Sequence, residues 1–282
     1  MSKGRGDPQH PEPDRPPPAT RYRADPLRTA APGDRPQAFR EVYDDILRGV
    51  LESRGADAKA LRLGANDNIA RFIRAAAGGG LTILEVGCAF GATAQQVARG
   101  QRALVGIDAA PVAIETARRL AGDQPNLSFE VMDATRLLFP DGRFDLVYSI
   151  DLIEHLHPDD VARHLLEVRR VLAPGGRYIV KTPSVLTGPH EGEDPGTQGF
   201  LHFQEYRYGT LLPLLRAAGF RRCRAPAFSM RLSCRIPGRS RWPAAANLLA
   251  ERLALVAPLR SPVSKRLARL LGVKQVVVTA GK

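Results

Sequence analysis

One stretch of the chain decides its fold: Ile83-Leu84-Glu85-Val86-Gly87-Cys88-Ala89-Phe90-Gly91. The apolar residues before Gly87 predict a short strand, and the residues after Gly91 predict a helix. Glycine at such a junction lets the backbone turn sharply and approach a ligand closely, as in the nucleotide-binding crevice of doubly wound sheets. Counted from Gly87, the dinucleotide fingerprint G-x-G-x-x-G meets Ala89 and Ala92 where it needs glycine. The turn therefore predicts a nucleotide-type ligand that lacks a pyrophosphate.

The rest of the chain alternates between strands and helices. Apolar runs bounded by turns predict strands at 81–86, 103–107, 127–132, 144–150, 177–181, 220–224 and 273–279. Helical periodicity predicts helices at 37–51, 66–76, 92–99, 112–121, 159–172 and 208–218, with Asp159 as an N-cap and Pro174-Gly175-Gly176 as a helix stop. Such alternation is typical of parallel strands joined by right-handed crossovers. We therefore expect an α/β fold: a doubly wound, mostly parallel, seven-stranded sheet with helices on both faces.

Composition divides the chain into three parts. Residues 1–35 are rich in Pro, Arg, Asp and Gly with little to bury, which predicts a disordered tail. Residues 36–80 carry two predicted helices and form an N-terminal helical cap, and residues 81–282 form the main domain. Within that domain, residues 225–271 are predicted as a basic helical insertion with nine Arg and Lys residues and one acid, Glu251. The insertion either packs on the sheet with a solvated Arg face or covers an anionic substrate or a membrane surface.

The charge and the cysteines bear on the partners and the compartment. The net charge of +12 has two explanations: a high-GC genome, which encodes arginine and alanine readily, or an acidic partner such as a phosphate, a carboxylate, nucleic acid or an anionic membrane. Cys88, Cys223 and Cys234 form no C-x-x-C pair, which argues against a disulfide framework or a zinc site and favours the reducing cytoplasm. We expect no transmembrane segment and no secretory signal, because no apolar run is long enough to span a bilayer and residues 1–36 lack an apolar core.

Polar residues stand at the ends of the predicted strands that follow the glycine turn. Asp108 ends the second strand, where a carboxylate can accept hydrogen bonds from both hydroxyls of a ribose. The third strand ends in Asp133-Ala134, a carboxylate followed by a free backbone N–H, which suits an adenine amino group and its neighbouring ring nitrogen. The fourth strand, Phe144 to Ile150, leads into Glu154-His155 and, after a helix, into Leu172-Ala173-Pro174-Gly175-Gly176. The order of these segments is more specific than any one of them.

This ordered set resembles the class I, Rossmann-like methyltransferases, in particular the small-molecule branch that includes the ubiquinone-type O-methyltransferases. The resemblance covers about 81–220 and the strand at 273–279, with Cys88-Ala89 in place of a glycine that the family often has. It implies S-adenosyl-L-methionine as the cofactor and an antiparallel final strand. It also implies cofactor contacts: Glu85, Gly87, Cys88, Ala89 and Gly91 around the methionine part, Asp108 and Ala109 at the ribose, Asp133 and Ala134 at the adenine, and Ser149 and Ile150 at the methionine ammonium.

The candidate catalytic residues follow the fourth and fifth strands. Methyl transfer from a sulfonium is an in-line displacement that we expect to need no metal, and a general base helps where the acceptor is a hydroxyl. His155 is one candidate base, although the Glu-His pair also fits a scaffold role. His202 and Glu205 are a second candidate pair, as base and orienter or else as rim residues. Tyr43 on the first predicted helix either closes over the cofactor or belongs to the core.

The other histidines receive no catalytic role. His10, His157 and His164 are expected at the surface, and His190 in a mobile loop at 187–199.

Three functions compete for this sequence. The first is methyl transfer from S-adenosylmethionine to a hydroxyl or amine of a small molecule, such as a secondary metabolite, a quinone or a glycan precursor. The second is nucleic-acid methylation, which the basic charge suggests and the missing Asn/Asp-Pro-Pro-aromatic motif after the fourth strand opposes. The third is a non-catalytic S-adenosylmethionine-binding module. We expect a small-molecule acceptor, no nucleic-acid partner, and membrane contact only through the basic insertion.

Overall fold

The computed structural model describes residues 25–55, 61, 67–184, 202–224 and 275–282. Within these residues the helices are α1 (Asp25–Thr29), α2 (Arg35–Arg54), α3 (Asp67–Ala77), α4 (Ala92–Val97), α5 (Pro111–Ala121), α6 (Pro158–Val171) and α7 (Tyr208–Ala217), with a 3₁₀ turn at Ile153–His155. The strands are β1 (Thr82–Val86), β2 (Ala103–Asp108), β3 (Leu127–Val131), β4 (Phe144–Ile150), β5 (Leu172–Pro183), β6 (Arg221–Arg224) and β7 (Gln275–Gly281). The sequence predictions for these elements are confirmed, most of them to within two residues at each end.

The strands form one mixed sheet in the order β3-β2-β1-β4-β5-β7-β6. Strands β1 to β5 pair in parallel, while β7 runs antiparallel to both β5 and β6. The doubly wound, mostly parallel sheet with an antiparallel final strand is therefore confirmed. Chain order reverses at β1, which pairs with β2 on one side and β4 on the other. Parallel sheets leave a ligand-binding crevice at the carboxyl ends of the strands at such a reversal.

Both faces of the sheet are buried beneath helices. Successive side chains of each strand point to opposite faces and so enter different apolar layers. Leu84, Val105 and Val147 belong to one apolar layer, which the inner faces of α6 and α7 complete. Their neighbours Ile83 and Leu104 belong to the opposite layer, which α3, α4 and α5 cover. This arrangement explains why the parallel strands are continuous apolar runs rather than alternating ones.

Helix α2 covers the start of α5 and the glycine turn. Leu47 and Val50 pack in one apolar cluster with Phe90 and Val112. The carboxylate of Asp44 accepts a 2.7 Å hydrogen bond from the backbone N–H of Val112, in the first turn of α5. These contacts place the middle of α2 beside the carboxyl ends of β1 and β2.

The predicted disordered tail at 1–35 is wrong at its C-terminal end. Residues 25–29 form α1, and Leu27 is fully buried. Arg35 begins α2, and its guanidinium lies 2.9 Å from Asp159 and 3.2 Å from Asp160 of α6. Composition did not reveal these features, because a single buried leucine and a single arginine leave no compositional signal. Residues 1–24 lie outside the described residues.

The start of α6 and the segment after it also differ from the prediction. His157, not Asp159, is the N-cap: its Nδ1 accepts from the N–H of Asp159, because Pro158 occupies the first helical position. The predicted stop at Pro174-Gly175-Gly176 lies inside β5 instead. Leu172 pairs with Phe144 and Arg177 with Leu146, so the four residues between them, Ala173 to Gly176, form a bulge at the start of the strand.

His164 was expected at the surface and is fully buried. Its Nδ1 lies 2.8 Å from the carbonyl of Ala134 and its Nε2 lies 3.3 Å from the hydroxyl of Tyr178. Burial lowers the pKa of the ring, which favours the neutral form. The prediction failed because both ring nitrogens have polar partners, so the histidine can occupy the apolar face of α6.

Several predictions concern residues outside the described part of the chain. They include the basic insertion at 225–271, the loop at 187–199, and His10, His190 and Cys234. Among the residues that are described, none of the helices combines the length and apolar character required to cross a bilayer.

Candidate functional site

A cavity of about 430 Å³ lies at the carboxyl ends of β1, β2 and β4, where the strand order reverses. It is lined by the glycine turn, by the strand ends that carry Asp108 and Asp133, by α2, and by the segments around His155 and His202. A cavity of this size is of the order that encloses a small organic ligand. The crevice predicted from the sequence therefore exists as a partly open cavity with polar groups from separate strands.

The turn after β1 needs its glycines for shape. Gly87, Ala89 and Gly91 have φ angles of 77°, 44° and 74°, all in the left-handed region. A Cβ on Gly87 would lie 3.0 Å from the side chain of Leu152, and one on Gly91 only 2.5 Å from the ring of Phe129. A side chain at Gly87 would therefore crowd Leu152, and one at Gly91 would crowd Phe129, so both positions require glycine.

Asp108 links the glycine turn to the start of α5. Its Oδ2 accepts from the N–H of Ala89 at 2.9 Å, and its Oδ1 accepts from the N–H of Ala110 at 3.0 Å. Burial raises the pKa of this carboxyl, and the two N–H donors oppose that shift. Since each carboxylate oxygen has a second lone pair, Asp108 can still accept hydrogen bonds from two ligand hydroxyls.

Asp133 forms a local turn at the end of β3. Its two carboxylate oxygens accept from the N–H and the Oγ1 of Thr135, at 2.8 and 2.9 Å. The carbonyl of Ala134 contacts His164, which fixes the same turn from the side of α6. Met132, Asp133, Ala134 and Thr135 all line the cavity. These hydrogen bonds hold the turn that follows β3 in place.

Glu85 is buried beneath the glycine turn, with 2% of its surface exposed. Burial raises the pKa of its carboxyl to about 8, so it is largely protonated at neutral pH. Its Oε2 has no hydrogen-bond partner within the described part of the chain. A protonated carboxyl at this place can donate a hydrogen bond into the cavity as well as accept one.

Tyr43 lies in the wall of the cavity and also packs against the apolar cluster of α2 and α5. Its ring stacks on Phe39 at 5.7 Å and meets His155 edge-on at 5.7 Å. Its hydroxyl is buried and finds no hydrogen-bond partner among the described residues. Burial raises the pKa of the hydroxyl, with Glu154 and Asp108 adding to the effect. Of the two roles left open by the sequence, the position favours contact with a ligand.

The end of β4 has a strained, charged junction. Asp151 follows the strand with φ 49°, a left-handed conformation that is unusual for a residue other than glycine. Its Oδ2 accepts from the ammonium of Lys181, a buried residue of the neighbouring β5. The backbone N–H of Asp151 donates to the carbonyl of Lys181 at 2.8 Å. The other carboxylate oxygen, Oδ1, is buried without a hydrogen-bond partner in the described ranges.

His155 and His202 meet at the side of the cavity that faces α2. Their ring centroids are 4.8 Å apart at an interplanar angle of 64°. Glu154 lies beneath them and is 1% exposed, and burial together with the charge of Asp151 raises its carboxyl pKa to about 8. The backbone N–H of Phe203 donates to the carbonyl of Glu154 at 2.8 Å, which joins the two segments.

Most of the residues singled out from the sequence lie around this one cavity. The lining includes Glu85, Gly87, Cys88, Ala89, Asp108, Ala109, Asp133, Ala134, Ile150, His155 and His202. Gly91, Ser149 and Glu205 do not belong to the lining. Gly91 instead packs against Phe129, and the Ser149 hydroxyl is hydrogen-bonded to Tyr178 at 2.6 Å.

The sequence analysis assigned no ligand role to several residues that line the cavity: Arg35, Phe39, Leu61, Thr135, Asp151, Glu154 and Asp160. Asp151 and Glu154 had a usable signal, since both directly follow the fourth strand at the edge where ligands bind. Arg35 and Leu61 had none, because only the packing of the cap brings them to this edge.

Comparison with known proteins shows what the central part of the chain is similar to. Residues 83–176 match the family model described as a methyltransferase domain. A probable chloroplastic tocopherol O-methyltransferase of Oryza sativa subsp. japonica is 38% identical over 105 residues, which is 36% of this chain and 28% of the relative. A probable S-adenosylmethionine-dependent methyltransferase of Mycolicibacterium smegmatis is 35% identical over 143 residues, covering 50% of this chain and 52% of the relative. The chain thus spans about half or less of the length of these curated relatives.

A solved structure extends the likeness of fold over most of the chain. The [4+2]-cyclase SpnF superposes with a TM-score of 0.56 at 23% identity, covering 87% of this chain and 95% of SpnF. At this identity the likeness concerns the fold alone. The superposition covers most of both chains, in agreement with the seven-stranded sheet described above.

Proposed function

We propose that this chain, whose residues 83–176 form a methyltransferase domain of the class I, Rossmann-like type, transfers a methyl group from S-adenosylmethionine to a small molecule. The observation that carries the proposal is the single cavity into which the glycine turn, Asp108 and Asp133 converge at the reversal of strand order. Dinucleotide binding is disfavoured, because Ala89 and Ala92 replace glycines of that fingerprint.

The cavity fits the cofactor on two counts. Asp108 keeps acceptor lone pairs for ribose hydroxyls, and the rigid turn at Asp133 and Ala134 suits an adenine edge. Buried polar atoms without a hydrogen-bond partner in the described ranges also line the cavity, on Tyr43, Glu85 and Asp151. Such atoms are costly to bury unless a ligand completes their hydrogen bonds. We assign them to the methionine part of the cofactor or to the acceptor.

The side of the cavity at His155 and His202 is the proposed place of the acceptor. S-adenosylmethionine, when bound, supplies the methyl group from its sulfonium. The protein positions the acceptor, excludes water and takes up its proton, and either imidazole is a candidate acceptor of that proton. Glu205 lies off the cavity lining, so the proposal keeps the two histidines and assigns Glu205 no contact with substrate.

A hydroxyl on an aromatic or other small organic molecule is the acceptor class that we favour. The rice relative is described as acting on tocopherol as an O-methyltransferase, which supports a hydroxyl acceptor. The aromatic wall of Phe39, Tyr43, His155 and His202 supports a flat apolar body next to that hydroxyl. An amine remains the alternative acceptor, and nucleic-acid methylation or a non-catalytic module remain alternative functions.

A cytoplasmic location is also part of this proposal. Cys88 and Cys223 carry free thiols, which suits a reducing compartment. Contact with an anionic membrane surface through residues 225–271 stays a hypothesis that the described residues do not address.

Transfer of a labelled methyl group tests the proposal. The full chain is incubated with S-adenosylmethionine labelled in the methyl group and, separately, with hydroquinones, phenols, amines, RNA and DNA. We expect label in a hydroxyl-bearing small molecule, with a rate that falls in the Asp108→Ala variant. Label in RNA or DNA would favour the nucleic-acid alternative, and cofactor binding without transfer to any of these acceptors would favour the non-catalytic module.

A further inference from the structure

Three side chains at the wall of the cavity have the composition of a metal site. The cluster consists of Glu154, His155 and His202, and a potential ligand atom of each lies within 4.8 Å of those of the other two. Glu154 and His155 belong to the 3₁₀ turn after β4, whereas His202 comes from the segment that follows β5. The N–H of Phe203 donates to the Glu154 carbonyl at 2.8 Å and therefore keeps the two segments together.

Glu154 provides a second, independent observation. Its Oε2 accepts a 2.9 Å hydrogen bond from the Thr182 hydroxyl, which fixes the carboxyl group. Its Oε1 is buried, lies 4.0 Å from Nε2 of His155 and has no hydrogen-bond partner among the residues described. The nearby ammonium of Lys181 is bound to Asp151. One oxygen of a nearly inaccessible carboxyl group is thus aimed at the histidines and lacks a hydrogen-bond partner in this part of the chain.

We infer that Glu154, His155 and His202 bind one divalent transition-metal ion at the wall of the methyl-transfer cavity, with an open coordination position facing the cavity. Two imidazoles and a carboxylate are a ligand set that suits Zn²⁺, Co²⁺ or Fe²⁺ better than Mg²⁺ or Ca²⁺. Zinc–nitrogen and zinc–oxygen bonds of about 2.0–2.2 Å place neighbouring ligand atoms roughly 3.3 Å apart. The potential ligand atoms, which lie within 4.8 Å of one another, therefore have to approach by up to about 1.5 Å when the ion binds.

The ion has a role in the proposed reaction. Three protein ligands leave a position for an exogenous oxygen, as in catalytic metal sites. With the ion bound, the two imidazoles serve as metal ligands instead of as the proton acceptors proposed above. A hydroxyl of the acceptor that occupies the open position loses its proton more readily, and that proton passes to solvent. This role rests on the proposed function, but binding of the ion does not. No metal was expected from the sequence, because methyl transfer from a sulfonium is a displacement that needs none and because no spacing along the chain links Glu154 and His155 to His202.

Titration with Co²⁺ tests the site, because cobalt reports its coordination by visible absorption. The full chain is freed of metal with a chelator and titrated with Co²⁺ and Zn²⁺, by absorption and calorimetry. We expect one ion per chain, and at least tenfold weaker binding in His202→Ala and in Glu154→Gln. His157→Asn is the matched control: it removes a nearby histidine, keeps a residue that caps α6, and should bind as the wild type does.

Two results overturn the inference: no binding of Co²⁺ or Zn²⁺ at millimolar concentration, or equal affinity in the wild type and the His202→Ala and Glu154→Gln variants. Circular dichroism checks folding, and if Glu154→Gln does not fold, His202→Ala decides alone. A parallel titration with S-adenosylhomocysteine separates this inference from the proposed function. Metal binding without S-adenosylhomocysteine binding upholds the metal site and rejects the proposed function. Binding of S-adenosylhomocysteine without binding of metal upholds the proposed function and rejects the metal site.

Discussion

The two halves of the cavity are built in different ways. On the cofactor side, Asp108 and Asp133 bind backbone N–H groups that lie close by along the chain or at the adjacent strand end. On the acceptor side, Asp151, Glu154 and His202 come together through contacts between β4, β5 and the segment after β5. Local turns thus fix the first half, whereas the second depends on the packing of distant segments.

The halves also differ in how completely their polar groups are satisfied. Both carboxylate oxygens of Asp108 and of Asp133 accept hydrogen bonds from the protein. On the acceptor side, Tyr43, Asp151 and Glu154 each bury an oxygen that has no hydrogen-bond partner in the described ranges. Buried polar atoms in this state cost free energy, and ligands remove that cost. We conclude that the ribose and adenine ends of the cofactor half are preorganised, whereas the acceptor half, and Glu85 beneath the glycine turn, are completed by what they bind.

The largest expected effect is at the glycine turn of the cofactor half. In Gly91→Ala, the new Cβ would lie 2.5 Å from the Phe129 ring in a left-handed backbone, so we expect a loss of about 2–5 kcal/mol of unfolding free energy. Gly100→Ala is the matched control, because Gly100 has φ +78° but open space around it, and should cost only about 1–2 kcal/mol. Urea unfolding measures both. Equal losses of unfolding free energy in the two variants would mean that the Phe129 ring moves aside and that the turn is not packed as described.

The next effect concerns binding in the same half. We expect Asp108→Ala to weaken S-adenosylhomocysteine binding by about 1–3 kcal/mol, the scale for leaving polar partners unsatisfied in a buried site. Asp145→Ala is the control, since Asp145 also accepts from a backbone N–H, that of Thr82, but lies away from the cavity lining. Calorimetry should show unchanged affinity for the control. If Asp108→Ala binds as tightly as the wild type, Asp108 serves only the fold.

A third test addresses the docking of the cap over the acceptor half. Arg35→Met removes the guanidinium that joins α2 to Asp159 and Asp160, and we expect a loss of about 1–2 kcal/mol of unfolding free energy. The loss stays moderate because Arg163 still pairs with Asp160 at 2.7 Å. Arg48→Met removes an exposed pair with Asp44 and should cost no more than about 0.5 kcal/mol. Equal effects of the two substitutions would contradict the cap contact.

The smallest expected effect is a dependence of stability on pH from Glu85. Its folded pKa of about 8 lies above the unfolded value, so the unfolded chain releases this proton first and stability falls as pH rises through the folded pKa. Between pH 7 and 8 the wild type should lose about 1 kcal/mol relative to Glu85→Gln. Glu115→Gln, at an exposed site on α5, should follow the wild type. Parallel pH profiles of wild type and Glu85→Gln would reject the buried, protonated carboxyl.

The cofactor half could be predicted from the sequence because its determinants are local. The apolar runs of β1 to β4, the glycine turn and the acids at strand ends all have short-range signatures, and the structure confirms these elements. The errors lie where local rules compete: Pro158 moves the N-cap to His157, and the Pro-Gly-Gly tripeptide bulges within β5 instead of ending a helix.

The acceptor half could be predicted only in part. His155 and His202 were named as candidates, but nothing in their spacing indicates that their rings meet over Glu154. Likewise, Arg35 seemed part of a disordered tail until its partners on α6 were known. Contacts between segments far apart in the chain leave no periodic signal, so only the fold reveals them.

The central claim is that the cavity at the reversal of β1 and β4 binds S-adenosylmethionine. Calorimetric titration of the full chain with S-adenosylhomocysteine and, separately, with NAD tests it most directly. The account predicts one S-adenosylhomocysteine bound per chain, with no heat of binding for NAD. Tight binding of NAD without binding of S-adenosylhomocysteine would contradict it.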